Sequence, residues 1–172
     1  MFFRAEDSFC EDPRPTPLYR AIAEQSEANS WTSVNGCAAA RVFTSAADEY
    51  EAAREACVIV DFGALRRITV RGPDAKAFLA RLASTPVHDL GDQESARGLL
   101  LNDEGRVVDF ADATRLSADF YMLTTCAPLH RRMQLATRGF DVEVHDVSDK
   151  VAALALIGPA ARNAAQAAGF DL

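Results

Sequence analysis

The segment "ITVRGPDAKAFLARL", residues 68–82, joins a β-branched run to an alanine- and leucine-rich run through a Gly-Pro pair. The first run favours a strand, and the spacing of Phe78, Leu79 and Leu82 favours a helix with one apolar face. The segment "LALIGPAARNAAQAA", residues 154–168, has the same order of strand, Gly-Pro turn and helix. Two such units among antiparallel strands predict an α+β fold of the split βαβ type. The alternative is that Gly-Pro is merely a common turn pair.

The segment "GLLLNDEGRVVDFADATRL", residues 98–116, predicts a β-hairpin. Its strands are predicted at residues 98–101 and 106–116, and "NDEG" forms the tip. Successive side chains of a strand point to opposite faces. Asp109 is therefore predicted on one face of the hairpin, and Phe110 and Asp112 on the other.

The remaining elements are predicted from capping residues, apolar spacing and turn residues. Residues 1–15 are predicted to be a flexible arm, and residues 29–43 are predicted to be irregular. Thr16 is the predicted N-cap of the first helix, and Ser45 and Asp48 have the spacing of a capping box. Helices are predicted at residues 16–28, 45–57 and 127–139, and strands at residues 58–62 (short and buried), 66–70, 120–126 and 140–147.

The composition is that of an ordinary globular region. The chain has 172 residues, 49% hydrophobic and 25% charged, and a formal charge of −7, which argues against a nucleic-acid or anionic-membrane surface. No apolar run approaches the length of a signal peptide or a membrane span. The four cysteines lie far apart, so we expect reduced thiols, no metal site and a cytoplasmic location.

The segments, in their order, resemble the aminomethyltransferase family, which contains the T-protein of the glycine cleavage system and folate-dependent demethylases. The "NSW…NG" and "EYEAAR" pieces look most like the demethylase branch. The matching pieces are "TPLY" (16–19), "NSW…NG" (29–36), "EYEAAREACVIVDFG" (49–63), "VRGPDAKAFLARL" (70–82), "LLLNDEGRVVDF" (99–110) and "FDVEVHDVSDKVAALALIGPAAR" (140–162).

The resemblance implies ferredoxin-like split βαβ lobes of the T-protein fold, in which three lobes surround an opening that holds tetrahydrofolate. Family members are about twice as long as this chain, so residues 16–172 correspond to a truncated, N-terminal half of the folate-binding domain. Lobe one is expected to be incomplete, and lobe two to span about residues 66–140.

The hairpin departs from the family pattern at the position that matters most for transfer. T-proteins carry two consecutive aspartates there, and the second contacts the folate nitrogen involved in one-carbon transfer. The first matches Asp109 and the second matches Phe110. A phenyl ring can neither accept a proton nor stabilise positive charge. Asp112, on the same predicted face as Phe110, is the candidate catalytic stand-in; the alternative is a solvated edge carboxylate.

The other candidate folate-binding positions are also altered. Leu65 stands at the methionine of the family's Ser-His-Met run, and Arg97 at a tyrosine that lines the folate opening. Cys126 replaces an asparagine and follows Thr124 and Thr125, a run that resembles the sarcosine-oxidase branch. The resemblance implies a folate-binding set of Leu65, Arg97, Phe110, Asp112, Thr124 and Cys126.

Three functions remain open from the sequence. The chain is a subunit or fragment of a tetrahydrofolate-dependent methyl or aminomethyl transferase with a small-molecule methyl donor, completed by a second polypeptide that carries the C-terminal half, or by homo-oligomerisation. Alternatively, it is a non-catalytic folate-binding or scaffold subunit that lost the transfer carboxylate. The third possibility is a truncated gene product without an independent role. Whether the chain itself is an enzyme stays open.

Overall fold

The computed structural model describes residues 13–171, which form two compact units. Unit one comprises residues 13–64 and 152–171, and unit two comprises Leu65–Val151. None of the helices in these residues combines the length and hydropathy that crossing a membrane requires. The elements in chain order are β1 (Arg14–Pro15), α1 (Tyr19–Gln25), β2 (Ser30–Val34), β3 (Cys37–Val42), α2 (Ala46–Glu55), β4 (Val58–Asp61), β5 (Arg66–Arg71), α3 (Ala75–Leu82), β6 (Ser95–Leu101), β7 (Val107–Ser117), β8 (Phe120–Thr125), α4 (His130–Ala136), β9 (Glu143–Asp146), β10 (Leu154–Ile157) and α5 (Ala161–Ala167).

Unit one contains a hairpin where the sequence predicted irregular structure. β2 and β3 pair in antiparallel orientation and are joined by Asn35 and Gly36, whose φ angles are 51° and 72°. Positive φ at both central residues matches the right-handed twist of the flanking strands, and Asn-Gly adopts it readily. The prediction for residues 29–43 was therefore wrong, although the Asn-Gly pair carried the signal.

The start of the chain also differs from the prediction. Of the predicted arm, residues 1–12 lie outside the described residues, whereas Arg14 and Pro15 pair in parallel with Cys37 and Ala38. Thr16 does not cap a helix. Its buried hydroxyl donates to Asp61 Oδ2 at 2.7 Å, and α1 begins at Tyr19 without a side-chain cap. The prediction of Thr16 as N-cap was wrong because a partner distant in sequence takes its hydroxyl.

The second helix follows its sequence signal. The Ser45 hydroxyl accepts a hydrogen bond from the Asp48 backbone N–H at 3.1 Å, and α2 starts at Ala46. Ser45 is therefore the N-cap, as the spacing predicts, while the Asp48 carboxylate accepts from the Ser45 hydroxyl at 2.7 Å rather than from its backbone N–H, so half of the capping box is formed.

The strand predicted to be short and buried is short but not buried. β4 pairs with β10 in a two-stranded antiparallel sheet, and no other strand of residues 13–171 pairs with it. The Ile59 side chain is exposed, so the prediction of burial was wrong.

Unit two is a five-stranded antiparallel sheet with the order β6-β7-β8-β5-β9. One face packs on α3 and α4, and the buried side chains of that face and the helices form the core: Ile68, Val70, Phe78, Leu79, Tyr121, Leu123, Met133 and Val144. Helices α3 and α4 cover only this face, so the side chains on the opposite face of the sheet are not part of this core. β9, the last strand, extends this unit past residue 140 by pairing with β5.

The repeated strand, Gly-Pro turn and helix is present in both units. In unit two it is β5, Gly72-Pro73 and α3, and in unit one it is β10, Gly158-Pro159 and α5. Both glycines have φ angles that side-chain-bearing residues rarely adopt, +142° and +136°. The two segments therefore share the backbone conformation of the turn as well as the Gly-Pro pair.

Candidate functional site

The hairpin of β6 and β7 separates the two carboxylates as the alternation predicts. Asp109 shares the core face with Ala111 and Ala113 and is 8% exposed. Phe110 is on the opposite face and is 59% exposed. The ring therefore lies in solvent, and the neighbouring acid points into unit two.

Asp109 has a structural role that the sequence alone did not reveal. One carboxylate oxygen accepts hydrogen bonds from the backbone N–H groups of Cys126 and Ala127, at 2.8 Å and 2.7 Å. The other accepts from the Phe110 N–H at 2.8 Å. This carboxylate holds the corner that leads from β8 to α4, and its position on the core face excludes it as a stand-in for the acid replaced by Phe110.

The outward face of the sheet brings together four of the predicted site residues. Arg97 of β6 is directly opposite Asp112 of β7, which is directly opposite Thr124 of β8. Leu99 and Phe110 form the next pair along the same face. We call Arg97, Leu99, Phe110, Asp112 and Thr124 the ribbon face.

Asp112 forms an ion pair with Arg97 and is not an unpaired carboxylate at the edge of the sheet. Arg97 Nε donates to Oδ1 at 2.7 Å, and Nη2 donates to Oδ2 at 2.8 Å. The pairing is bidentate, which fixes the plane of the carboxylate. The hydrogen bond and the charge of Asp112 raise the pKa of the exposed Arg97 above its ordinary value. The carboxylate keeps free lone pairs for a ligand, but its charge is balanced.

Arg67 extends the same row on β5 and was missed from the sequence. It is directly opposite Thr124 and is 1% exposed, and its Nη1 donates to the Leu65 carbonyl at 3.0 Å. The signal was the parity of "RRITV", which puts Arg67 on the face opposite Ile68 and Val70. Leu65 itself is half-buried, one residue before β5.

Cys126 follows β8 and has a half-buried thiol. Burial raises its pKa above the ordinary value, and the negative charges of Asp109 and Asp112 raise it further, while Arg97 opposes them. The thiolate is the nucleophilic form of cysteine. This environment therefore disfavours Cys126 as a nucleophile.

Alkylation of Cys126 by iodoacetamide at pH 8 is expected to be slower than that of a free thiol such as N-acetylcysteine. The raised pKa leaves less thiolate, and partial burial limits access. The rate is measured by peptide mass spectrometry after timed quenching. Replacing Asp112 by asparagine removes one negative charge and should quicken the reaction; a rate that exceeds the reference thiol would contradict the expectation.

No three His, Cys, Asp or Glu side chains of residues 13–171 are grouped so that they could hold a metal ion. The ribbon face itself carries an exposed phenyl ring, an ion pair and a hydroxyl. These groups can bind and orient a flat polar molecule.

Comparison with known proteins identifies the family. The sequence model described as the GCVT N-terminal domain matches residues 18–171. The chain belongs to this family. It is 29% identical over 156 residues to an aminomethyltransferase of Staphylococcus carnosus, and 32% identical over 128 residues to one of Caldanaerobacter subterraneus. The first alignment covers 88% of this chain and 42% of the relative, and the second covers 72% and 34%.

Solved structures show the same fold. The glycine cleavage system aminomethyltransferase T from Bartonella henselae matches with a TM-score of 0.79 at 22% identity, over 93% of this chain and 45% of that one. A heterotetrameric sarcosine oxidase from Corynebacterium matches with a TM-score of 0.53 at 20% identity, over 87% of this chain and 64% of that one. The predicted α+β T-protein fold is thus confirmed, and the chain spans less than half the length of the aminomethyltransferases it matches.

Proposed function

We propose that the chain is the N-terminal part of a tetrahydrofolate-dependent one-carbon transferase, completed by a polypeptide that carries the rest of the family's sequence. Family membership and the 42% coverage of the Staphylococcus carnosus relative support this proposal. The observation that carries it is the ribbon face, where Asp112 and the exposed Phe110 lie two residues apart on one strand.

The ribbon face suits the pterin of tetrahydrofolate. An exposed phenyl ring offers a stacking surface for a flat heterocycle. Asp112 can accept hydrogen bonds from ring N–H and amino groups, while Arg97 holds its orientation. Thr124, opposite Asp112, supplies a hydroxyl, and Leu65 and Cys126 remain predicted contributors. When bound, tetrahydrofolate accepts the one-carbon unit; the chain's own groups bind and orient it.

The nature of the donor is proposed from the N-terminal segments. The "NSW…NG" and "EYEAAR" pieces favour a demethylase-type donor, a small methylated molecule, over the glycine system. A cytoplasmic location is part of the same proposal and rests on composition.

A non-catalytic folate-binding or scaffold subunit is the second candidate. It is favoured by the phenyl ring at the position of the transfer acid and by the bidentate pairing of Asp112. In that case the ribbon face binds folate without transfer.

Titration calorimetry tests folate binding. The chain is coexpressed with the polypeptide that is proposed to carry the rest of the family's sequence, and the complex is titrated with tetrahydrofolate. Replacing Phe110 by alanine removes the stacking ring and should weaken binding about tenfold, the equivalent of about 1.4 kcal/mol. Leu135→Ala, at an exposed leucine of α4, is the matched control and should leave the affinity unchanged. A complex that binds no tetrahydrofolate refutes the proposal.

Methyl transfer from small O-, N- and S-methylated molecules to tetrahydrofolate, assayed with the same complex, distinguishes the two candidates. The transferase predicts methyl transfer to tetrahydrofolate that Asp112→Asn abolishes. The scaffold predicts binding without turnover, and Phe110→Asp should then leave turnover absent as well.

A further inference from the structure

Arg67 is a buried arginine in the same row of side chains as the proposed folate site. It lies on β5 directly opposite Thr124 of β8, which is directly opposite Asp112 of β7. Thr124 and Asp112 are half-buried, whereas Arg67 is 1% exposed. The guanidinium is therefore enclosed by protein at one end of the row.

Packing alone does not explain a charged side chain at position 67. Removing a guanidinium from water costs free energy, which hydrogen bonds and ion pairs must offset. An apolar side chain of similar length, such as methionine, would fill the same volume without that cost. The charge and the N–H donors of Arg67 therefore point to a role besides packing.

The guanidinium holds the residue that leads into its own strand. Arg67 Nη1 donates to the Leu65 carbonyl at 3.0 Å. Leu65 lies in the bend before β5, outside the pairing of β5 with β8, which begins at Arg66. A hydrogen bond from a charged donor is stronger than one between neutral groups. Arg67 therefore restrains the backbone of Leu65 where the sheet does not.

The main chain of Arg67 is anchored separately from its side chain. The Arg67 N–H donates to Ser148 Oγ at 3.0 Å, and the Arg67 carbonyl accepts from the Val147 N–H at 2.8 Å. Ser148 is also buried. The guanidinium thus extends from a fixed point of the backbone, and a change at Ser148 can disturb that point while leaving the guanidinium in place.

We infer that Arg67 is a positioning residue of the proposed folate site: its guanidinium holds Leu65 in the place from which Leu65 contacts the bound pterin. The inference rests on the proposed function, because Leu65 is a predicted contributor to that site. Arg67 is too buried to touch a ligand, so it acts through Leu65.

Titration calorimetry with tetrahydrofolate tests the role of the guanidinium. The protein is the complex of the chain with the polypeptide proposed to carry the rest of the family's sequence. Arg67→Met should weaken binding about tenfold, because Leu65 loses a charged hydrogen bond. Arg67→Lys keeps a charged donor and should restore most of the affinity. If Arg67→Met does not fold, Arg67→Gln takes its place with the same expectation. Wild-type affinity in the uncharged variant overturns the inference.

A double-mutant cycle tests whether Arg67 acts through Leu65. Leu65→Ala removes the side chain that Arg67 is inferred to position, and by itself should weaken tetrahydrofolate binding. Adding Arg67→Met to Leu65→Ala should then weaken binding little further, because residues that act as a unit have non-additive effects. Additive losses of affinity would show that Arg67 acts independently of Leu65, which overturns the inference.

Ser148→Ala is the matched control for a purely structural effect. It removes the acceptor of the Arg67 N–H but keeps the guanidinium, so it should lower the stability in urea unfolding and leave the affinity for tetrahydrofolate unchanged. If Ser148→Ala weakens binding as much as Arg67→Met, the inference is overturned. A wild-type complex that binds no tetrahydrofolate refutes the proposed function itself, whereas a complex that binds it equally well with and without the guanidinium overturns only the role of Arg67.

Discussion

Replacing Asp109 by alanine is expected to lower the free energy of unfolding of unit two by about 3 kcal/mol, because several backbone donors lose a charged acceptor at once. Cys126 and Ala127 donate to one carboxylate oxygen, and Phe110 donates to the other. The carboxylate is buried, so water cannot fully replace it. Asp109→Asn keeps one carbonyl acceptor and should lose less stability than Asp109→Ala.

The measurement is urea unfolding, with hydrogen exchange to assign the loss to unit two. Exchange of the Cys126 and Ala127 amides should accelerate in Asp109→Ala. Asp112→Ala, three residues along the same strand, is the control: its ion pair with Arg97 is exposed and screened by solvent, so its loss should change the stability little. Equal losses in the two variants would show that the three hydrogen bonds of Asp109 do not hold the corner between β8 and α4.

Strand alternation alone predicted the opposite faces of Asp109 and Phe110, because a period of two is set by the backbone. The partners of Asp109 were not predictable. Cys126 and Ala127 are 17 and 18 residues further along the chain, and only the antiparallel pairing of β7 with β8 brings them to the carboxylate. Periodicity describes one strand at a time, whereas this contact depends on two strands and the turn after them.

The pairing of Arg97 with Asp112 depends on a β-bulge that the sequence pattern does not predict. Near the hairpin tip Leu101 is opposite Val107, but Leu100 is opposite Asp109, so one residue of β7 is unmatched. Without this shift, Arg97 would be opposite Ala111, whose side chain is in the core. The bulge therefore aligns the two charged residues on one face. A hairpin extended from the pairing of Leu101 with Val107 has the elements right but the register wrong by one residue beyond the bulge.

Replacing Gly72 or Gly158 by alanine is expected to destabilise the respective unit by more than about 3 kcal/mol, because the added methyl group would overlap the backbone. A Cβ at Gly72 would lie 2.2 Å from the Asp141 carbonyl oxygen, and one at Gly158 would lie 2.5 Å from the Ala56 carbonyl oxygen. These oxygens belong to the main chain, so relief requires displacement of a whole segment rather than rotation of a side chain.

Each of these carbonyl oxygens also accepts a hydrogen bond from the start of the helix in its own unit. The Asp141 carbonyl accepts a hydrogen bond from the Asp74 N–H at 3.4 Å, and the Ala56 carbonyl accepts one from the Ala160 N–H at 2.9 Å. In each unit the donor comes two residues after the glycine, at the start of a helix. The glycine permits the approach that makes this bond, which is why the Gly-Pro pair recurs with its strand and helix.

Gly139→Ala introduces backbone strain without steric overlap, and so separates these two contributions to the loss of stability. Gly139 also has a positive φ, +85°, but a Cβ there meets nothing within 4 Å, so only the backbone strain of about 1–2 kcal/mol applies. The variants are compared by urea unfolding, and hydrogen exchange assigns each loss to its unit. If Gly72→Ala and Gly158→Ala lose no more stability than Gly139→Ala, the close backbone approach does not hold the repeated unit together. If both variants lose much more stability, each in its own unit, the same close backbone approach stabilises the repeated strand, turn and helix in both units.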